Sequence, residues 1–277
     1  MILKLKTQKY LTIACACIKL IPRGEKRLRN RQSYLNTLLE FLDKEVIKVI
    51  MGIRRCGKST LLKLFADELR KRNIQSKNII HINFESMKYR DIADYNLFYD
   101  YIAKHIPKNG KTYLLIDEPQ NVIGWEKAVN SFKVDFDCDI YITGSNARLL
   151  SSELSTLISG RYVEIELYPL SYKEFLDFHK KEKDDKNFQD YLKFGGFPSI
   201  VEFGENVDRI NDILDGIYNT VIVKDVISKN NIKDEELLQR IVAFLAGNVG
   251  SPISANSITN SLVNEKRIIE NRKKILQ

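Results

Sequence analysis

Gly52-Ile53-Arg54-Arg55-Cys56-Gly57-Lys58-Ser59-Thr60 fills every fixed position of the pattern G-x-x-x-x-G-K-[ST]. Average residue usage would put that pattern into a chain of this length by chance about once in a hundred, so its flanks decide the reading. Before it, Val46 to Met51 is a short apolar run suited to a buried strand. After it, Leu61, Leu62, Leu64, Phe65 and Leu69 recur at helical spacing. Strand, glycine loop and helix together make a phosphate cradle. Loop N–H groups point at phosphate oxygens, and the positive end of the helix adds to them. In such a cradle Lys58 reaches the β- and γ-phosphates of a nucleotide, and the Ser59 hydroxyl ligates Mg²⁺. Every residue from Gly52 to Thr60, with Ile53, Arg54, Arg55 and Cys56 among them, is a candidate nucleotide-binding position.

Outward from this loop, apolar runs predict further strands over 78–84, 112–116, 139–143 and 162–167. Helical periodicity predicts helices over 31–43, from the loop to about residue 72, and over 95–105, 125–136 and 149–158. Five strands separated by helices imply an α/β fold: a mostly parallel sheet with helices on both faces, whose ligands bind at the carboxyl ends of the strands. Beyond Pro169 the pattern turns to helices alone, over 171–180, 187–194, 206–229 and 234–247, broken at Gly195-Gly196-Phe197-Pro198.

The polar residues that close the strands carry the chemistry. The strand Tyr113 to Ile116 ends on Asp117-Glu118, 59 residues after Lys58. Asp117 is the candidate Mg²⁺ ligand, through water. Glu118 is the candidate to orient the water that attacks the γ-phosphate or to accept its proton. The next strand ends in Thr143-Gly144-Ser145-Asn146, where Asn146, ahead of Ser145 and Thr143, is the candidate to sense the γ-phosphate or the lytic water. Arg161, before the fifth strand, is a candidate finger for a neighbouring subunit's γ-phosphate, which requires a homo-oligomer; a salt bridge to Glu164 or Glu166 is the alternative. Arg54 and Arg55 either contact phosphates or face solvent. Cys56 reads as a passive small residue and Trp125 as an aromatic anchor for the helix after Asp117-Glu118. His81, His105 and His179 are scattered and suggest no metal site.

Bulk properties narrow the rest. The chain of 277 residues is 44% hydrophobic and 29% charged, enough material for one sizeable core with small appendages. The net charge of +8 resides in residues 1–31, which hold nine Lys or Arg and one Glu; the remainder balances 35 basic against 35 acidic residues. The body therefore gives no bulk-charge reason to bind nucleic acid, and residues 1–30 read as a poorly ordered basic leader, either genuine or the product of a misplaced start codon. Cys15, Cys17, Cys56 and Cys138 form no zinc pattern and read as free thiols of a cytoplasmic protein. No stretch reaches the roughly 18 apolar residues of a membrane span, and Lys19 interrupts the one apolar run that follows a basic start.

Taken together, the motifs resemble the AAA+ class of P-loop ATPases. More closely, they resemble the prokaryotic ATP-binding protein family related to archaeal-type ATPases. The resemblance covers about residues 30–260. Its carriers are Gly52 to Thr60, Leu114 to Gln120, Ile142 to Ala147, Ser159 to Tyr162, Tyr168-Pro169-Leu170-Ser171 with Glu174-Phe175, and Gly195 to Pro198. It implies ATP and Mg²⁺ as ligands, strand order 5-1-4-3-2, a glutamate switch at Glu118, a sensor near Asn146 and an arginine finger at Arg161. It further implies a nucleotide-binding core over 31–168, a helical lid over 169–235 and a winged-helix-like segment over 236–277. Family members typically continue into a nuclease-like domain. Here the charged residues before Gln277 depart from the family, so the expectation is a truncated or frameshifted version, with DNA or a protein as the remaining candidate partner. The leading expectation is a Mg²⁺-dependent ATPase. Its rivals are a low-turnover nucleotide switch or scaffold and a phosphotransferase, the latter disfavoured by the paired Asp117-Glu118.

Overall fold

The computed structural model describes residues 31–144, 161–221, 226–227 and 232–263. The basic leader, the helix expected over 149–158, Ser145 and Asn146 lie outside the described residues. The apolar run before the glycine loop is strand β1 (Ile47–Met51). It joins β2 (Ile79–Asn83), β3 (Thr112–Asp117), β4 (Cys138–Gly144) and β5 (Tyr162–Glu166) in one five-stranded sheet of order β2-β3-β4-β1-β5. Every pairing is parallel. Read from the other edge this is 5-1-4-3-2, as the resemblance implied.

β1, β3 and β4 are buried along their whole length, which is why they read as near-continuous apolar runs. Alternate residues of β1 feed different layers. Ile47, Val49 and Met51 pack with Phe98 and Ile102 of α3 (Tyr95–His105) and with Trp125, Val129 and Phe132 of α4 (Trp125–Asp135). Ile50 packs on the other face with Leu35 and Leu38 of α1 (Gln32–Glu40) and with Leu61, Leu62 and Phe65 of α2 (Lys58–Lys71). Trp125 is thus a core anchor, as its position suggested.

Sheet register sets up the site. Ile50 lies beside Thr143, Thr143 beside Asp117, and Asp117 beside Asn83. One row across four strands therefore carries three polar side chains at the carboxyl edge, next to the loop that follows Met51. After β5, α5 (Tyr172–His179) starts with a capping box in which Ser171 and Glu174 satisfy each other's backbone N–H groups. α6 (Asp185–Phe194) ends at Gly195.

The chain forms two compact units. One takes the described residues up to Tyr191 together with Gly195–Pro198, and the other takes Leu192–Phe194 and the described residues from Ser199 onward. The second unit contains α7 (Val207–Thr220), which buries Ile210 and Ile217, and α8 (Glu235–Gly247), whose first turn is capped by the Asp234 carboxylate. Residues 255–263 are also helical. Among the described residues no helix is long and apolar enough to cross a membrane.

Candidate functional site

The loop from Gly52 to Gly57 turns between β1 and α2 under two distinct backbone demands. Gly52 lies against the Leu167 carbonyl, and a Cβ there would collide with that oxygen and come within 2.8 Å of Cys56 Sγ. Gly57, which precedes α2, has φ +105°, a left-handed value that glycine adopts without steric cost. Arg55 also has positive φ, at 63°, and is exposed. Arg54 reaches Glu85 at 3.9 Å. Cys56 is buried in the α2-side core, and burial pushes its thiol pKa up despite the nearby Lys58. That fits the passive reading of this position.

Lys58 is buried at the first position of α2. Its ammonium donates to the Gly52 carbonyl at 2.9 Å and to the Ile53 carbonyl at 3.1 Å, across the mouth of the loop. Glu118 Oε1 lies 3.9 Å from the same ammonium. Ser59 and Thr60 follow in the first turn of α2, half-buried.

Asp117 is fully buried at the end of β3, and both carboxylate oxygens have donors. Asn83 Nδ2 donates to Oδ2 at 2.9 Å, and the Thr143 hydroxyl donates to Oδ1. Glu118 follows in a left-handed backbone conformation, φ 56° and ψ 50°. Its N–H donates to the Thr143 carbonyl at 3.2 Å, which ties this turn to the end of β4. The Gln120 amide donates to Glu118 Oε2. Burial raises the Glu118 pKa above the usual carboxylate range, Asp117 and Glu85 add to the rise, and Lys58 and Gln120 oppose it.

Lys58, Asp117 and Glu118 are therefore brought to one edge of the sheet beside the glycine loop. Thr143 joins them, but its hydroxyl is engaged by Asp117 rather than free to meet a phosphate. Arg161 does not join them. The Ile47 N–H donates to its carbonyl at 2.8 Å, and Tyr162 lies beside Ile47. Arg161 thus sits exposed at the amino-terminal edge of the sheet, a β1 length of about 13 Å or more from the loop at ~3.3 Å per residue. Asn83, Gln120 and Glu85 escaped the reading of the sequence. A polar residue closing a strand was the signal for Asn83, and the D-E-P-Q run was the signal for Gln120.

Comparison with known proteins matches residues 44–176 to the family model of an AAA domain and residues 185–277 to that of a domain of unknown function. The chain is 45% identical over 248 residues to an uncharacterized protein of Haemophilus influenzae, covering 87% of this chain and 61% of that protein. It is 37% identical over 240 residues to an uncharacterized protein of Methanocaldococcus jannaschii, covering 78% of this chain and 50% of that one. The chain thus spans half to three-fifths of the length of these relatives. Among solved structures it is similar in fold to the Walker-type ATPase of Pyrococcus abyssi, with a TM-score of 0.51 at 17% identity over 90% of this chain and 92% of the other.

Proposed function

We propose, from the match of residues 44–176 to the family model of an AAA domain, that the chain is a P-loop ATPase of the AAA+ class that binds ATP with Mg²⁺ and hydrolyses it, coupling hydrolysis to conformational change. The observation that carries this reading is the convergence of Lys58 and Glu118, 3.9 Å apart, beside an Asp117 whose carboxylate is held by Asn83 and Thr143. The loop suits a nucleotide's phosphates because Gly52 lets it pack against Leu167, Gly57 makes the left-handed turn into α2, and α2 presents its amino end there. The oxygen donors Asp117 and Ser59 suit Mg²⁺, which when bound would neutralise charge on the β- and γ-phosphates.

In this reading the N–H groups from Ile53 to Thr60 bind phosphate oxygens, and Lys58 exchanges the Gly52 and Ile53 carbonyls for the β- and γ-phosphates. Glu118 aligns a water with the γ-phosphorus and takes its proton as the new P–O bond forms and the bridging P–O bond to ADP breaks. Asn146 would sense the γ-phosphate. Arg161, at the far edge of the sheet, would serve only a neighbouring subunit, so the reading includes a homo-oligomer. Residues 31–168 act as the core, 169–235 as the lid, and 236–277 as a winged-helix-like segment through which DNA or a protein partner would be engaged, in the cytoplasm.

One observation favours a second reading, a low-turnover nucleotide switch or scaffold. Glu118 Oε2 already accepts from the Gln120 amide, a partner that competes with a water for the same carboxylate. Phosphate release from ATP with Mg²⁺, with and without DNA and resolved by oligomer size, separates the two. Lys58→Ala should lose nucleotide binding, and Glu118→Gln should bind ATP without turning it over. If wild type and Glu118→Gln bind ATP with the same negligible turnover, the switch reading replaces the enzyme.

A further inference from the structure

Arg31 carries a charge indistinguishable in sequence from its neighbours in the basic leader, yet only 6% of its side chain is exposed. It immediately precedes α1. Its Nε donates to Glu174 Oε1 at 2.8 Å and its Nη2 to Oε2 at 2.9 Å, a bidentate pair. Nη1 also donates to the Tyr168 carbonyl at 2.6 Å and, at the long distance of 3.5 Å, to the Cys56 carbonyl. Nη2 donates to the Pro169 carbonyl at 3.4 Å, and the Tyr34 ring lies 4.5 Å from the guanidinium carbon.

Glu174 is fixed before it meets Arg31. Its Oε2 accepts from the Ser171 N–H at 2.9 Å and the Ser171 hydroxyl at 3.0 Å. Burial pushes the Glu174 pKa up, but the donors from Arg31 and Ser171 outweigh it and leave the carboxyl below its usual range. The carboxylate is therefore a charged, oriented socket for one guanidinium. The Tyr-Pro-Leu-Ser and Glu-Phe motifs, which the nucleotide reading leaves without a role, supply this socket.

The contact with Cys56 gives the socket a consequence at the loop. The Cys56 carbonyl belongs to the Cys56–Gly57 peptide, and no peptide in the described chain is cis. In a trans peptide the C=O and N–H point to opposite sides. Holding the carbonyl toward Arg31 therefore sets the direction of the Gly57 N–H, away from Arg31. The same socket binds the 167–170 segment, which lies against Gly52 and whose Leu167 N–H donates to the Met51 carbonyl at 2.6 Å. Arg31 thus grips both the loop and the segment the loop leans on.

We propose that Arg31 is a positioning residue of the phosphate loop: seated by Glu174, it holds the Cys56–Gly57 peptide so that the Gly57 N–H is presented to a nucleotide's phosphates. This rests on the nucleotide-binding reading of the same loop. Lysine cannot substitute, because a single ammonium cannot bridge a carboxylate bidentately and reach three carbonyls.

The test compares the full chain carrying Arg31→Lys, Glu174→Gln, or Leu35→Val, a control that loosens the core beneath the same helix. Amide hydrogen exchange of the nucleotide-free protein is read across residues 52–58, together with the affinity for a fluorescent ATP analogue. Arg31→Lys should raise exchange across 52–58 by roughly tenfold or more while β1 and β3 stay protected. It should weaken the analogue by about ten- to a hundredfold, the equivalent of one or two charge-assisted hydrogen bonds. Glu174→Gln should do the same to a smaller degree and serves alone if Arg31→Lys does not fold. Leu35→Val should lower the melting temperature without either change. Loop exchange and affinity within twofold of wild type in both Arg31→Lys and Glu174→Gln would overturn the proposal, as would matching changes in Leu35→Val. A wild type that binds the analogue but releases no phosphate sinks the hydrolysis reading and leaves the affinity arm standing. A wild type that binds no analogue sinks the nucleotide reading, and the exchange arm still decides whether Arg31 orders the loop.

Discussion

Asn83 at the end of β2 donates its side-chain amide to Oδ2 of Asp117 at the end of β3, across 2.9 Å. The two residues are register partners, so the sheet itself brings them together. The same Asn83 accepts from the Glu85 N–H at 2.8 Å, which fixes which way its amide faces. Partners that orient a metal-ligating carboxylate typically change metal affinity by roughly ten- to a hundredfold when removed. Asn83→Ala should therefore raise the Mg²⁺ concentration for half-maximal ATP turnover by about tenfold. Nucleotide binding measured without Mg²⁺ should stay near wild type. An unchanged Mg²⁺ titration would remove Asp117 from the metal site.

Glu118 makes stability depend on pH. Burial, the largest influence on its carboxyl, raises the folded pKa, with Lys58 and Gln120 opposing. Between the ordinary and the raised value the folded protein keeps a proton that the unfolded chain has lost. Stability from this group is thus complete at low pH and is lost as pH rises through the raised pKa. Glu118→Gln removes that loss. Its melting temperature without nucleotide should exceed wild type at about pH 8, and the gap should shrink toward about pH 4. A gap that widens as the pH falls would show that the Lys58 pairing outweighs burial.

The central strands and the loop were legible because their physics is local. β1, β3 and β4 are buried on both faces, so their apolar character survives in the linear pattern. Lys58 and Asp117-Glu118 follow from a loop motif and a strand end. What could not be read is adjacency created by register. Asn83 and Asp117 are 34 positions apart, and nothing in either segment announces the other. Arg31 is harder still. Its burial depends on Glu174, 143 positions away, and the charge tally counts it with Arg27 and Arg29. Thr143 was recognised as a strand-end residue, but its engagement with Asp117 is a property of the β3–β4 pairing.

A buried ion pair at the other end of the sheet gives an asymmetric prediction. Lys48 is fully buried in β1 and pairs with Asp139 of β4. Burial lowers the Lys48 pKa even though Asp139 raises it. Asp139 Oδ2 also accepts from the Tyr141 hydroxyl at 3.0 Å and the Asp43 N–H at 2.9 Å. Asp139→Ala strips an acceptor from three donors and leaves the lysine without its counter-charge, so it should cost about 3–5 kcal/mol in urea unfolding. Lys48→Met leaves the carboxylate with two donors and should cost less. Equal or reversed costs would show that Tyr141 and Asp43 do not hold the carboxylate.

The two loop glycines should fail in different ways when replaced by alanine. At Gly52 the obstacle is a neighbour: the Leu167 carbonyl oxygen and Cys56 Sγ already occupy the space of a Cβ. Leu167 cannot easily retreat, because its N–H is bonded to the Met51 carbonyl at 2.6 Å. At Gly57 the space is open, with Pro198 Cγ the nearest heavy atom at 3.9 Å, and the obstacle is the backbone angle of +105°. A side chain in left-handed backbone costs about 1–2 kcal/mol, which the fold can absorb. Gly52→Ala must instead displace the loop from the sheet edge, so it should lower nucleotide affinity by about a hundredfold or more, a loss of roughly 2.7 kcal/mol. Gly57→Ala should remain folded, melt a few degrees lower (about 2–4 °C per kcal/mol for a chain of this size), and lose about tenfold in affinity. Affinity and melting temperature measured on both variants decide the matter. If Gly57→Ala proved the more damaging to binding, handedness rather than close packing against Leu167 would be what holds the loop in shape.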